Sequence, residues 1–206
     1  MVKIVQINVK GFDNNFSYLL IGKNNESFLI DATGSKEEIE KTILKNKVVL
    51  VAQLLTHNHP DHCELIPYFE SKGAKLINFK EIENVPFAEK VVEIAGVKVR
   101  AIFTPGHLND AKCFIIENNI FSGDTLFVRG IGTTAYGGND ALLKKTLEYL
   151  RTFNPKMILW PGHDYGGTTS TLKQALDNSH IKPGKKARDN IKKKVGEYEK
   201  VRGKKY

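Results

Sequence analysis

The sequence has little of what secreted or membrane-embedded proteins rely on. Only Cys63 and Cys113 are cysteines among 206 residues, too few for a disulfide framework, and two free thiols fit a reducing compartment. No run of about 18 apolar residues occurs, so no segment has the length of a membrane-spanning helix. The opening Met1-Val2-Lys3-Ile4-Val5-Gln6 lacks a cleavable apolar stretch, and a cytoplasmic location is expected. Low-complexity linkers and internal repeats are absent as well. At 41% hydrophobic residues the chain can build one sizeable core, whereas two independent domains would each be small.

Acidic residues do not balance the basic ones, and the formal net charge is +8. The imbalance is local. Residues 1–180 hold 20 basic and 20 acidic side chains, leaving 11 and 3 in residues 181–206. Lys182, Lys185, Lys186, Arg188, Lys192, Lys193, Lys194, Lys200, Arg202, Lys204 and Lys205 could hold an anionic partner such as RNA, a lipid surface or an acidic substrate. Ile191, Val195 and Tyr198 recur at intervals of four and three, which predicts a tail helix that docks one narrow stripe and keeps its lysines in water. No recognisable RNA or DNA module accompanies it.

Short runs rich in β-branched and aromatic residues open the chain at Val2 to Val9, Phe16 to Ile21 and Ser27 to Ile30, and read as a β-meander. Ser35-Lys36-Glu37-Glu38 has the capping-box pattern, and with Ile39, Ile43 and Leu44 as an apolar stripe it predicts a helix from Lys36 to Asn46. A buried strand from Val48 to Leu55 comes next, then a helix from Asp61 to Lys72. Further strands are expected near Lys75 to Phe79, Val91 to Ile94, Val97 to Phe103, Cys113 to Glu117, Ile120 to Ser122 and Met157 to Trp160. A Gly-rich loop from Thr125 to Asn139 leads into a helix from Asp140 to Thr152, and a last helix lies near Thr169 to Leu176. Strands followed by alternating helices suggest an α+β fold of two face-to-face sheets with helices outside.

His57-Asn58-His59-Pro60-Asp61-His62 places four potential metal ligands in six residues, on a loop at the end of a strand. Imidazole and carboxylate together suit zinc, iron or manganese, whereas calcium or magnesium would call for oxygen ligands almost alone. Three other strand ends carry a ligand beside small or ring-constrained residues: Thr104-Pro105-Gly106-His107, Ser122-Gly123-Asp124-Thr125 and Pro161-Gly162-His163-Asp164. Five of the six histidines belong to this set. The sixth, His180, reads as a surface residue. Cys63 reads as helix packing beneath the site, not as a nucleophile. The stretch Gly130 to Gly138 lacks the strand-turn-helix setting of a dinucleotide loop.

This pattern resembles the metallo-β-lactamase superfamily, through His-x-His-x-Asp-His followed in order by separate His, Asp and His positions. Phe28-Leu29-Ile30-Asp31-Ala32-Thr33-Gly34 resembles the superfamily's first motif, in which the aspartate supports the ligand loop. The resemblance implies a four-layer αββα sandwich of two mixed sheets. Carried over by position, His57, His59 and His107 would bind a first metal and Asp61, His62 and His163 a second, with Asp124 bridging. Two divalent ions are implied, zinc first, with iron or a zinc and iron pair as alternatives. An aspartate at the bridge resembles the glyoxalase II branch, since many true β-lactamases carry cysteine there.

Gly123-Asp124-Thr125-Leu126-Phe127-Val128-Arg129-Gly130 and Pro161-Gly162-His163-Asp164-Tyr165-Gly166-Gly167 resemble glyoxalase II and the persulfide dioxygenases. Relatives usually follow Gly130 with Cys-Gly-Arg or Cys-Gly-Lys, whose basic residue helps hold glutathione, whereas this chain has Ile131-Gly132-Thr133. Arg129 and Tyr136 are then the candidates for holding a small anionic or thioester substrate. The expected activity is a glyoxalase II-like hydrolase in which metal-bound hydroxide attacks a thioester or related ester, with Asp61 or Asp124 handling its proton. Residues 1–180 would form the catalytic domain and residues 181–206 the basic tail. Two alternatives stand: a mononuclear iron persulfide dioxygenase using His57, His107 and Asp124, and a nucleic-acid-processing or binding protein using the tail.

Overall fold

Most strands carry apolar side chains on both faces, and this dictates the layers. Successive side chains of a strand point to opposite sides, so a strand apolar throughout must be covered twice. On β2 (Phe16–Ile21), Phe16, Tyr18 and Leu20 enter one buried cluster, while Leu19 and Ile21 enter another. The computed structural model, whose described residues are 1–180, repeats this division strand after strand. The tail expectation therefore lies outside the described residues.

The first sheet runs β1 (Lys3–Asn8), β2, β3 (Glu26–Ile30), β4 (Val49–Leu54) and β5 (Lys75–Leu76) in spatial order. β1, β2 and β3 pair antiparallel, whereas β3, β4 and β5 pair parallel. The second sheet has six strands: β6 (Glu89–Ile94), β7 (Val97–Phe103), β8 (Lys112–Ile116), β9 (Asn119–Gly123), β10 (Ile158–Pro161) and β11 (Ser170–Thr171). Their spatial order is β11-β10-β9-β8-β7-β6, and only β9 and β10 are parallel.

Three apolar clusters fill the three interfaces of a four-layer sandwich. The central one joins Phe28, Ile30 and Leu54 of the first sheet to Val99, Phe103, Phe114 and Phe121 of the second. Outside the first sheet, Leu19 and Leu29 meet Ile39 of α1 (Lys36–Asn46) and Ile66 and Phe69 of α3 (Ile66–Ser71). Outside the second, Ile102, Ile115 and Leu159 meet Leu150 of α4 (Asp140–Leu150) and Leu172, Ala175 and Leu176 of α5 (Leu172–Asp177). Each such buried side chain contributes about 1.5–3 kcal/mol relative to exposure. The fold is thus α+β, with two mixed sheets inside and helices outside.

Three sequence expectations change. The helix expected from Asp61 to Lys72 is two pieces, α2 (Pro60–Cys63) and α3, because the Leu65 N–H is diverted to Ala32 O at 2.9 Å and Pro67 has no N–H to offer. The strand expected from Lys75 to Phe79 pairs over two residues only and gives way to a 3-10 turn at Lys80–Ile82. The last helix starts at Leu172, where Thr171 and Gln174 form a capping box, and Ser170–Thr171 pairs with β10 instead. Among the described residues no helix is long and apolar enough to cross a membrane.

Candidate metal centre

β7, β9 and β10 run in the same direction, so their C-terminal ends lie on one rim of the second sheet. Those ends deliver His107, Asp124 and His163. β4 of the first sheet ends nearby and delivers His57 through His62. The rims are stitched together by Lys112 N–H to Thr56 O at 2.8 Å and by Phe16 N–H to Gly162 O at 2.9 Å.

The seven predicted ligands meet there in two adjoining pockets. In the first, His57 Nε2, His59 Nδ1 and His107 Nε2 lie 3.0, 3.1 and 3.3 Å from one another. Their remaining ring nitrogens face outward to fixed partners. His107 Nδ1 donates to Thr133 O at 2.7 Å, and His59 Nε2 to Tyr136 O at 3.4 Å. Thr56 Oγ1 donates to Asp31 Oδ2, so it accepts from His57 Nδ1 at 3.0 Å. With each ring's hydrogen committed outward, three lone pairs converge with no proton between them. Burial pushes His107 down to about 4, holds His59 below the usual imidazole range, and together with the neighbouring His62 and His107 rings holds His57 well below it. Three neutral imidazoles at this spacing repel one another unless a cation sits between them. Tetrahedral zinc with nitrogens at about 2.0–2.1 Å spaces them by roughly 3.3 Å, so the donor set fits such an ion.

The second pocket pairs carboxylates with imidazoles. His62 Nε2 and His163 Nε2 are 3.3 Å apart, and His163 Nε2 is 3.4 Å from both Asp61 Oδ2 and Asp124 Oδ2. Asp124 Oδ1 lies 3.3 Å from His62 Nε2, yet is buried without a hydrogen-bond partner. Against burial, Asp124 with Asp31 raises His62 well above its usual value, and Asp124 with Asp61 raises His163. Against burial likewise, the histidines hold Asp124 well below the usual carboxylate range and Asp61 below it. The backbone leaves room for the donors and nothing more. A Cβ at Gly162 would collide with Asp124 Oδ1, and one at Gly132 with Asp124 O and His107 Nδ1.

Asp31 sits at the end of β3 with φ of 56° and holds the loop by accepting from Thr56 N at 2.8 Å, Thr56 Oγ1 at 2.7 Å and His62 Nδ1 at 2.8 Å. Tyr136 is half-buried and touches the site through its carbonyl. Arg129 is exposed; its stem lies along Gly166 and its backbone N–H donates to Tyr165 O at 2.9 Å. Neither is brought among the seven donors. His180 is exposed and apart from them, and Cys63 packs with the outer apolar cluster of the first sheet. Sequence reasoning did not single out Thr56, Asp13, Asn15 or Tyr165. Asp13 O accepts from His163 Nδ1 at 3.0 Å, and Tyr165 stacks on the His163 ring at 5.3 Å and donates to Asp13. Asn15 Nδ2 donates to Asp61 O at 2.6 Å. Of these, only Thr56 and Tyr165 carried a signal, adjacency to the histidine motifs.

No family profile matches the chain. A probable polyketide biosynthesis zinc-dependent hydrolase, BaeB, of Bacillus velezensis is 24% identical over 182 residues, covering 82% of this chain and 81% of the relative. A hydroxyacylglutathione hydrolase of Francisella tularensis subsp. novicida is 29% identical over 179 residues, covering 81% and 70%. Among solved structures, BLEG-1, a B3 metallo-β-lactamase, superposes with a TM-score of 0.75 at 23% identity, covering 88% of this chain and 100% of that one. ETHE1 from Myxococcus xanthus gives 0.75 at 23% identity, covering 86% and 83%. The fold is that of the metallo-β-lactamases.

Proposed function

We propose that this chain, a metal-dependent hydrolase of metallo-β-lactamase fold, cleaves a thioester or a related ester in the manner of glyoxalase II. The observation that carries the reading is the pair of adjoining donor pockets with Asp124 between them, its Oδ2 3.8 Å from His107 Nε2 and 3.4 Å from His163 Nε2. His57, His59 and His107 would hold one divalent ion and Asp61, His62 and His163 the other, zinc in preference to iron or a mixed pair. When bound, such a pair would lower the pKa of a water it holds toward about 7 and would polarise the scissile carbonyl.

The chain's own groups do the rest. Asp61 and Asp124, with side chains 17% and 12% exposed, face both the pocket and solvent, and so can orient the attacking water and take its proton. Asp31 fixes the His62 ring and, through Thr56, the His57 ring, which keeps the donors in place through a turnover. Tyr136 beside His59 and the exposed Arg129 beside the His163 loop flank the donors, and their chemistry suits a small anionic thioester. Residues 1–180 then make up the catalytic unit, acting on a small molecule in the cytoplasm. The hydrolase names of the sequence relatives support this class.

A second reading, a single-iron persulfide dioxygenase, would use His57, His107 and Asp124, where His107 Nε2 lies 3.3 Å from His57 Nε2 and 3.8 Å from Asp124 Oδ2. Metal analysis of protein purified without added metal, with assays on a panel of acyl thioesters and of oxygen uptake on a thiol persulfide, separates the two. Two ions per chain and thioester hydrolysis that falls about a thousandfold in His107→Ala or Asp124→Ala are expected, a loss of about 4 kcal/mol of transition-state stabilisation. One iron with persulfide-dependent oxygen uptake and no hydrolysis would overturn the proposal.

A further inference from the structure

The residue between His57 and His59 is held by a carboxylate outside the ligand set. Asp110, in the loop between β7 and β8, accepts from the Asn58 backbone N–H at 3.1 Å and from the Asn58 side-chain amide through the same Oδ2. Asp110 is itself fixed. Its carbonyl accepts from the Lys112 ammonium, whose side chain is only 7% exposed and which pairs with Glu83 Oε1 at 2.7 Å. Lys112 also donates its backbone N–H to Thr56 O at 2.8 Å. A chain of contacts thus runs from Glu83 through Lys112 and Asp110 to Asn58.

The loop that carries Asp110 also carries His107, three residues earlier. One short segment therefore supplies a donor to the first pocket and grips the backbone between the other two donors. The His59 ring hydrogen bond to Tyr136 O is 3.4 Å long, against 2.7 Å for His107 to Thr133 O.

We infer that Asp110 is a positioning residue for the first metal pocket, acting on His57 and His59 through Asn58. The inference rests on the metal-centre reading above. It makes the two pockets separable, because the His62 and His163 rings are oriented by hydrogen bonds to Asp31 and Asp13 instead.

The test titrates the chelator-treated full-length chain with zinc(II), and separately with cobalt(II), for the parent, Asp110→Ala and Asp110→Asn, with thermal unfolding recorded alongside. Asp110→Ala is expected to weaken one metal equivalent by about 10–100-fold, the usual cost of losing a group that orients a ligand, and to leave the other equivalent at its parental affinity. The cobalt visible spectrum at saturation should change in that variant. Asp110→Asn keeps an acceptor oxygen and should restore both, and it carries the test should the alanine variant not fold. Parental affinity for both equivalents together with a parental cobalt spectrum in folded Asp110→Ala would overturn the assignment. So would equal weakening of both equivalents. Two metals bound without any ester hydrolysis in the parent would sink the hydrolase reading alone, and a parent that binds no metal would sink both.

Discussion

Burial gives His107 a pH sensitivity that an exposed imidazole lacks. Its pKa falls to about 4, against about 6.5 in an unfolded chain. Between those values the unfolded state takes up a proton that the folded state refuses. The stability His107 contributes is present above about pH 6.5 and lost as the pH falls toward 4, a shift worth about 3 kcal/mol. His62 and His163, whose values are raised, act in the opposite direction, so the contribution is read as a difference. Urea unfolding of metal-free protein at pH 7 and pH 4 should show the parent losing about 3 kcal/mol more than His107→Asn. Equal losses would mean that the His107 ring is not held neutral.

At this scale the donors were legible and their anchors were not. Histidine and aspartate beside glycine or proline at a strand end advertise themselves, and all seven meet. The groups that orient them are largely backbone carbonyls, of Asp13, Thr133 and Tyr136. A carbonyl has no residue signature, and only the folded path of the chain selects which one faces a ring.

Among the elements, period and caps located most boundaries. The helix from Lys36 to Asn46 followed from Ser35 as its cap and the Ile39, Ile43 and Leu44 stripe. The break between α2 and α3 was hidden because its cause lies outside the segment: the hydrogen bond to Ala32 that diverts Leu65 comes from a residue 33 positions earlier in the chain. This junction is tied down by α3, whose Phe69 is 2% exposed in the outer cluster of the first sheet. Phe69→Ala should cost about 3–5 kcal/mol in chemical denaturation of the metal-free protein. A cost under about 1 kcal/mol would show that α3 does not anchor the loop's far side.

For the whole molecule, net charge and the candidate donors are divided along the chain. Residues 1–180 are neutral by count and hold every candidate donor, whereas residues 181–206 hold the entire excess. Truncation after residue 180 should leave thioester turnover within about twofold and should abolish any binding to heparin or RNA at low salt, because residues 181–206 hold the whole charge excess and none of the candidate donors. Turnover that falls tenfold or more with the fold intact would place the tail in the catalytic unit.

The donors come from the rims of both sheets, four residues after β4 in the first and one each after β7, β9 and β10 in the second. Neither sheet alone holds a complete pocket, and the contributing loops lie up to about a hundred residues apart, with the loop-closure cost that such separation carries during folding. Either pocket is therefore complete only once both sheets are in place, and an ion bound there would clasp the two halves as well as serve the chemistry.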